Sequence, residues 1–287
     1  MRIGVSLSST HDEDGPARMI ERARVAHRAG FASLTIGDHH NMSTQYAQNT
    51  PMLGRLLAEW PDRPAGCLFL VPLWHPLLMA EHIGTLAAMH TGRFIVQTGI
   101  GSGAAQFAAF GLTERSRGSR LERAVPLVQR LLAGETVDDA TFDMVGARVG
   151  LRPDGPIEWW MGAGVDAALA RAARLGDVWY ADPRLDIATA KARLDRYRSF
   201  GGNRATIRRD VLVLSDGDEA RRIAADLVAR GYRGLGMDQL VVGSVDDAAE
   251  DFERLFDLGF EEIVIRCMTV PQEQALETLE LLGSLTR

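Results

Sequence analysis

The chain has 287 residues, 46% apolar and 24% charged, with 32 Lys and Arg against 38 Asp and Glu and a formal net charge of -6. That length suits one large α/β domain or two small ones, and an acidic balance with arginines scattered among acids excludes the basic face that nucleic acid needs. The two cysteines, Cys67 and Cys267, lie far apart inside apolar runs, which argues for buried thiols and against a disulfide framework or a metal site. No apolar run approaches the roughly 20 residues of a membrane span, and the N-terminus enters a strand without a signal-peptide pattern, so a cytoplasmic protein is expected.

Residues 2–8 read as a strand with Ile3, Val5 and Leu7 apolar, and a helix follows from near Pro16 to Gly30. Residues 31–37 form the second strand, which runs into Asp38-His39-His40 and a polar loop; Pro51 then sits in the first turn of a helix ending near Glu59. The middle of the chain is the plainest part. Cys67-Leu-Phe-Leu-Val71 and Phe94-Ile-Val96 are unbroken apolar runs, as strands buried on both faces require, and a helix-period segment carrying Ile83, Leu86 and Ala87 joins them. Parallel strands need such a crossover, so this is a right-handed βαβ unit.

A fourth helix spans residues 120–133, with Leu121, Val125, Val128 and Leu132 on one face. Residues 134–156, rich in Gly and Asp, read as an excursion built on a short hairpin. Residues 157–161 are strand five, a helix spans 166–175, and residues 177–180 are strand six. After a helix through Leu194 and Tyr197, strand seven is placed at residues 210–214, followed by an added helix at 219–230 and a glycine-rich passage ending at Val241-Val242. Ser244 and Asp247 form a capping box for the next helix; residues 262–267 are strand eight, and a helix opened by Pro271 ends the chain. Eight strands alternating with helices predict a single closed (β/α)₈ barrel over residues 1–287, with an open doubly wound sheet as the competitor.

In a barrel the chemistry belongs at the C-terminal ends of the strands. The second strand ends in His39 and His40, whose imidazoles titrate near neutral pH and suit proton transfer; a loop or capping role is the alternative. Adjacent residues on an extended segment face opposite ways and do not easily share a metal ion. The fourth strand ends in Gly99-Ile-Gly-Ser-Gly103, which fits the dinucleotide pattern but follows the wrong strand for it. There, small residues let a flat ring approach the backbone, or else serve a tight turn. The fifth ends in Gly162-Ala-Gly164 at the start of a helix, where free N–H groups favour an anion, and Arg120 can supply a counter-charge. A phosphorylated planar cofactor follows from these together.

These residues resemble the bacterial-luciferase-like monooxygenases over nearly the whole chain. The carriers are Gly37-Asp-His-His-Asn-Met42, Val71-Pro-Leu-Trp-His-Pro76, Thr91-Gly-Arg-Phe-Ile-Val-Gln-Thr-Gly-Ile-Gly101, Arg117-Gly-Ser-Arg-Leu121, Trp159-Trp-Met-Gly-Ala-Gly164 with Ala172-Ala-Arg-Leu-Gly-Asp177, and Val241-Val-Gly-Ser-Val-Asp246. The resemblance implies a (β/α)₈ barrel using FMN or the deazaflavin F420. It implies His39 as active-site histidine with His40 beside it, and a cofactor site of Asp38, Cys67, Leu68, Gly99, Ile100, Gly101, Arg120, Gly162, Ala163, Gly164 and Val165. It also implies a cis peptide between Cys67 and Leu68, a shape that costs about 3 kcal/mol and is kept only for a reason.

Asp38-His39 leans the cofactor toward F420, while the second histidine is shared with FMN relatives. The expected activity is oxidoreduction or monooxygenation of a small organic substrate, with a homodimer and a separate flavin or F420 reductase as partners. A non-catalytic flavin-binding or light-sensing protein of the same fold and a metal-dependent hydrolase barrel are the rivals. The substrate pocket is expected to draw on residues 44–50, 104–116 and 134–156.

Overall fold

Eight parallel strands close into a ring in the computed structural model, which describes residues 1–8 and 14–286. The strands are β1 (Ile3–Leu7), β2 (Leu34–Ile36), β3 (Ala65–Leu70), β4 (Phe94–Gly99), β5 (Ile157–Gly162), β6 (Val178–Ala181), β7 (Arg204–Val213) and β8 (Glu262–Cys267). Each pairs in parallel with the next, and β8 returns to β1 with Ile3 opposite Ile263. Between them run α1 (Gly15–Ala29), α2 (Asn49–Leu56), α3 (Pro76–Ala88), α4 (Arg117–Leu132), α5 (Asp166–Leu175), α6 (Ile187–Ser199) and α7 (Val245–Leu258), with α8 (Gln272–Leu282) last. The expected (β/α)₈ barrel is the observed fold.

The apolar runs are continuous because each strand is covered on both faces, by the outer helices and by the barrel interior. Ile95, Trp160, Val178 and Val264 fill the interior midway along it. Below them the N-terminal end is plugged by two buried carboxylates. Glu262 accepts from Arg2 Nε at 2.6 Å and from the Ser33 hydroxyl. Glu158 accepts from Trp160 Nε1 at 2.8 Å and pairs with Arg93 and Arg204. Burial alone would raise the Glu158 carboxyl, but the Arg204 and Trp160 hydrogen bonds and the Arg93 charge hold it below its ordinary value. Gly66 of β3 lies so close to β4 that a Cβ there would overlap the Ile95 carbonyl.

The excursion after α4 is the expected hairpin, with strands Val137–Asp139 and Met144–Ala147 antiparallel. It is pinned to the rim by His75, whose Nδ1 caps α3 by accepting from the Leu77 N–H while Nε2 donates to the Phe142 carbonyl at 2.9 Å. The Ser244–Asp247 capping box starts α7 as expected.

Two boundaries differ. Strand seven begins at Arg204, six residues before the expected start, because Arg204, Arg208 and Asp210 interrupt its apolar run. Val241-Val242 is a strand of its own, Leu240–Gly243, paired in parallel with Asp210–Val213 on the edge of β7 that leaves β6 after Ile207. The added helix, Gly217–Ala229, connects the two, and a small core of Leu212, Leu214, Ala220, Ala224, Tyr232, Leu235, Leu240 and Met268 holds this insertion on the barrel. No helix among the described residues is long and apolar enough to cross a membrane.

Candidate active site

The C-terminal ends of β1, β2, β3, β7 and β8 surround a cavity of about 280 Å³. Its wall is Ser6, Leu7 and Ser8, then Gly37, Asp38 and His39, then Met42 and Tyr46 of the following loop, Leu68 of β3, Arg208 of β7, Arg233 of the insertion and Arg266 of β8. Of the three loops expected to shape a pocket, only residues 44–50 contribute to this one, through Tyr46; the insertion after β7 adds Arg233, and strand ends form most of the remaining wall.

The Asp38-His39-His40 turn divides its work. Asp38 is buried and its Oδ2 accepts from the Leu70 N–H at 2.8 Å and the Trp74 indole at 2.9 Å, which ties the end of β2 to the turn after β3. His40 folds back onto it, Nε2 lying 3.1 Å from Asp38 Oδ1, with its ring against Phe110 and Trp74 and its N–H donating to Gln106. Alternation then sends His39 the other way, into the cavity, its ring 6.0 Å from that of Tyr46. Burial, reinforced by the Asp38 charge, pushes the Tyr46 phenol above its ordinary value despite the opposing charge of Arg266, so the hydroxyl keeps its proton.

Cys67 is fully buried, and burial followed by the Asp38 charge raises its thiol well above the usual value; Cys67 and Cys267 are both free thiols. The expected cis bond between Cys67 and Leu68 is absent, as every described peptide bond is trans. The parallel ladder explains this: Cys67 pairs with Val96 and Leu68 with Gln97 without a break, and an extended trans link carries that register. Leu68 lines the cavity.

Gly99 is roofed rather than bare: a Cβ there would meet Leu70 Cδ2 at 3.2 Å and Leu68 Cδ1 at 3.5 Å. Ile100 packs partly buried against the main core. Gly101 has φ +68° in a turn against Phe107, and its carbonyl accepts from Arg117 at 3.3 Å. At the end of β5, a Cβ on Gly162 would stand 2.8 Å from the Thr98 carbonyl, and the Ala163 carbonyl accepts from the Trp179 indole. Gly164 faces open space, with nothing within 4 Å of a Cβ. Val165 caps α5 with no side-chain hydrogen bond, which leaves first-turn N–H groups for another acceptor.

Arg120 lies half-buried in the first turn of α4. Its Nε donates to the Pro72 carbonyl at 3.1 Å, its guanidinium sits 4.6 Å over the Phe142 ring, and it has no carboxylate partner among the described residues. Burial lowers its pKa from the ordinary arginine value. Gly118, two residues before it, lies near the guanidinium of Arg171 from the middle of α5. No group of three or more His, Cys, Asp and Glu side chains among the described residues is arranged to hold a metal ion.

Sequence reasoning missed Arg208, Arg233 and Arg266. Arg266 shares its face with Val264 and Glu262, so a period-two reading of β8 points it inward. Arg208 was hidden by the late start assigned to strand seven, and Arg233 lies in a 3₁₀ turn with φ +49° that has no strand or helix signature.

A family profile described as luciferase-like monooxygenase matches residues 1–270. The F420-dependent glucose-6-phosphate dehydrogenase of Beutenbergia cavernae is 29% identical over 189 residues, 62% of this chain; the match spans about half, 55%, of that protein. The enzyme of the same description from Microbacterium testaceum is 26% identical with 96% and 94% of the two chains covered. The crystal structure of the monooxygenase RslO1 from Streptomyces bottropensis has a TM-score of 0.84 at 20% identity, covering 99% of this chain and 98% of that one, a likeness of fold. With its barrel and with a profile match over nearly all its length, the chain belongs to the luciferase-like monooxygenase family.

Proposed function

We propose that this chain is an oxidoreductase that binds F420 or FMN at the C-terminal mouth of the barrel and acts there on a small organic substrate, with F420 the favoured cofactor. The observation that carries the reading is one rim holding three features: the His39-lined cavity, the half-buried and carboxylate-free Arg120, and the uncapped start of α5 beside the open face of Gly164. Strands β2 to β5 are consecutive in the ring, so the strand ends beside these features span three spacings of about 4.8 Å, roughly 14 Å. That reach suits a flat ring with a phosphorylated tail. The F420-dependent relatives support the choice of cofactor.

Arg120 and the first N–H groups of α5 would hold the phosphate, the guanidinium kept in place by Phe142 and the Pro72 carbonyl. Leu68, Leu70 and Ile100 would form an apolar support on the β3 and β4 side. The bound group supplies the two-electron redox chemistry that side chains lack. An imidazole nitrogen of His39 would take or return the substrate proton, while Tyr46 stays protonated and lines the same space. Asp38 and His40 would act from behind, fixing the turn that aims His39. We include a homodimer in the proposal and, if FMN is the cofactor, a separate reductase; light scattering should then read twice the 31.4 kDa of one chain.

Titration of the purified protein with F420 and with FMN, followed by absorbance and fluorescence, tests the reading. Saturable binding of either is expected, and Arg120→Gln should weaken it. Binding of neither overturns the proposal, whereas cofactor binding without turnover on any substrate tried returns it to the non-catalytic rival.

A further inference from the structure

Three guanidinium groups meet on the cavity wall across the ring from β3 and β4. Arg208 Nε lies 3.5 Å from Asp210 Oδ1 and Arg233 Nε 3.5 Å from Asp210 Oδ2, while Arg266 Nε donates to Ser8 Oγ at 3.1 Å. Asp210 is fully buried and also accepts from the Tyr232 hydroxyl at 2.8 Å. The other nearby acids among the described residues are committed elsewhere. Asp38 is taken by Leu70, Trp74 and His40, and Asp182 is closed by a two-point fork from Arg184 at 2.9 Å. Arg209, next along β7, turns outward to the Leu185 and Pro183 carbonyls and takes no part.

Among the described residues, three cations therefore face one carboxylate in a concave, partly dry site, with the Arg208 side chain only 19% exposed. Partly buried charge is costly unless balanced, and a chain of net charge -6 has no general surplus of arginine to place there. Guanidinium forks match the oxygens of carboxylate and phosphate in two-point hydrogen bonds, which a lysine would not provide. The insertion after β7 exists, on this view, to bring Arg233 over the strand ends.

We infer that this wall is an anion subsite that holds a carboxylate or phosphate group of the substrate and so presents the rest of it to His39. The inference rests on the reading that the cavity is the substrate's. Because the phosphate of the cofactor is assigned to Arg120 and α5, the two anion sites are separate, and that separation is testable.

Isothermal titration with inorganic phosphate and, separately, succinate is run on the protein as purified and on the protein loaded with F420 or FMN. At least one probe should bind the loaded protein, and the tighter of the two identifies the substrate's anionic group. Arg266→Gln and Arg233→Gln should each weaken that binding tenfold or more while leaving the cofactor dissociation constant within about twofold. Arg233, on the insertion, is the variant that disturbs the barrel least, and circular dichroism establishes that it folds. Wild-type binding of neither probe, or retention of probe binding in both folded variants, overturns the subsite. So does displacement of bound cofactor by phosphate, which would give the arginines to the cofactor. If neither cofactor binds, the oxidoreductase reading fails by itself, and titration of the purified protein still decides the subsite.

Discussion

Asp38 shows how a single carboxylate can organise a site without facing it. Its Oδ2 satisfies the Leu70 N–H and the Trp74 indole, its Oδ1 lies 3.1 Å from the His40 imidazole, and that knot leaves His39 as the histidine facing the cavity. Asp38→Ala should lower stability by about 2 kcal/mol, read from a urea midpoint, because two buried donors lose their acceptor. His39→Ala should instead leave stability and cofactor affinity nearly unchanged while turnover falls on the order of 100-fold or more, the usual worth of a positioned acid or base. Gly66→Ala should fail to accumulate as soluble protein, since its Cβ would overlap the Ile95 carbonyl inside the ring. The motif around His39 was plain in the sequence, but which of two adjacent histidines faces inward depends on the Asp38 knot, made with residues about 30 positions away. Arg208 was harder still, because a polar residue on a barrel interior breaks the apolar run by which a strand is recognised.

Among the elements, α7 and the excursion hairpin owe their places to a few named contacts. Asp247 receives the Ser244 N–H and hydroxyl together with Arg221, and these hold its carboxyl at about 2 against an ordinary 3.8. A lowered acid stabilises the fold above its ordinary pKa, and the contribution disappears as pH falls through the folded value. Helical signal should therefore decline between about pH 4 and pH 2, in part through this group. Ser244→Ala should cost about 1 kcal/mol near neutrality and make that part of the acid loss shallower, as followed by circular dichroism. The hairpin was legible as a short excursion rich in Gly and Asp, but its purpose was not. Its use came from tertiary contact: Phe142 lies under the Arg120 guanidinium and its carbonyl receives His75. Phe142→Ala should weaken cofactor binding a few-fold, in line with roughly 0.5–1 kcal/mol for a cation over a ring, without changing the pH dependence of turnover.

For the whole molecule, alternation of strand and helix was enough to specify the barrel, since parallel strands with helical crossovers leave few other closures. What alternation did not reveal was the second partner of β7. Its first residues pair with β6, its last with Leu240–Gly243, and β8 runs along its opposite edge. The ring thus closes through β1 to β8 with no residue of the insertion in it, and the insertion packs in a small core against the end of β7 and Met268. Its helix, its 3₁₀ turns and Arg233 hang on a wall that stands without them. Such a segment is free to diverge: grafting residues 215–239 from a relative should retune which compounds are accepted while melting temperature and cofactor uptake barely move, so new chemistries could be sampled by exchanging one cassette on an unchanged chassis.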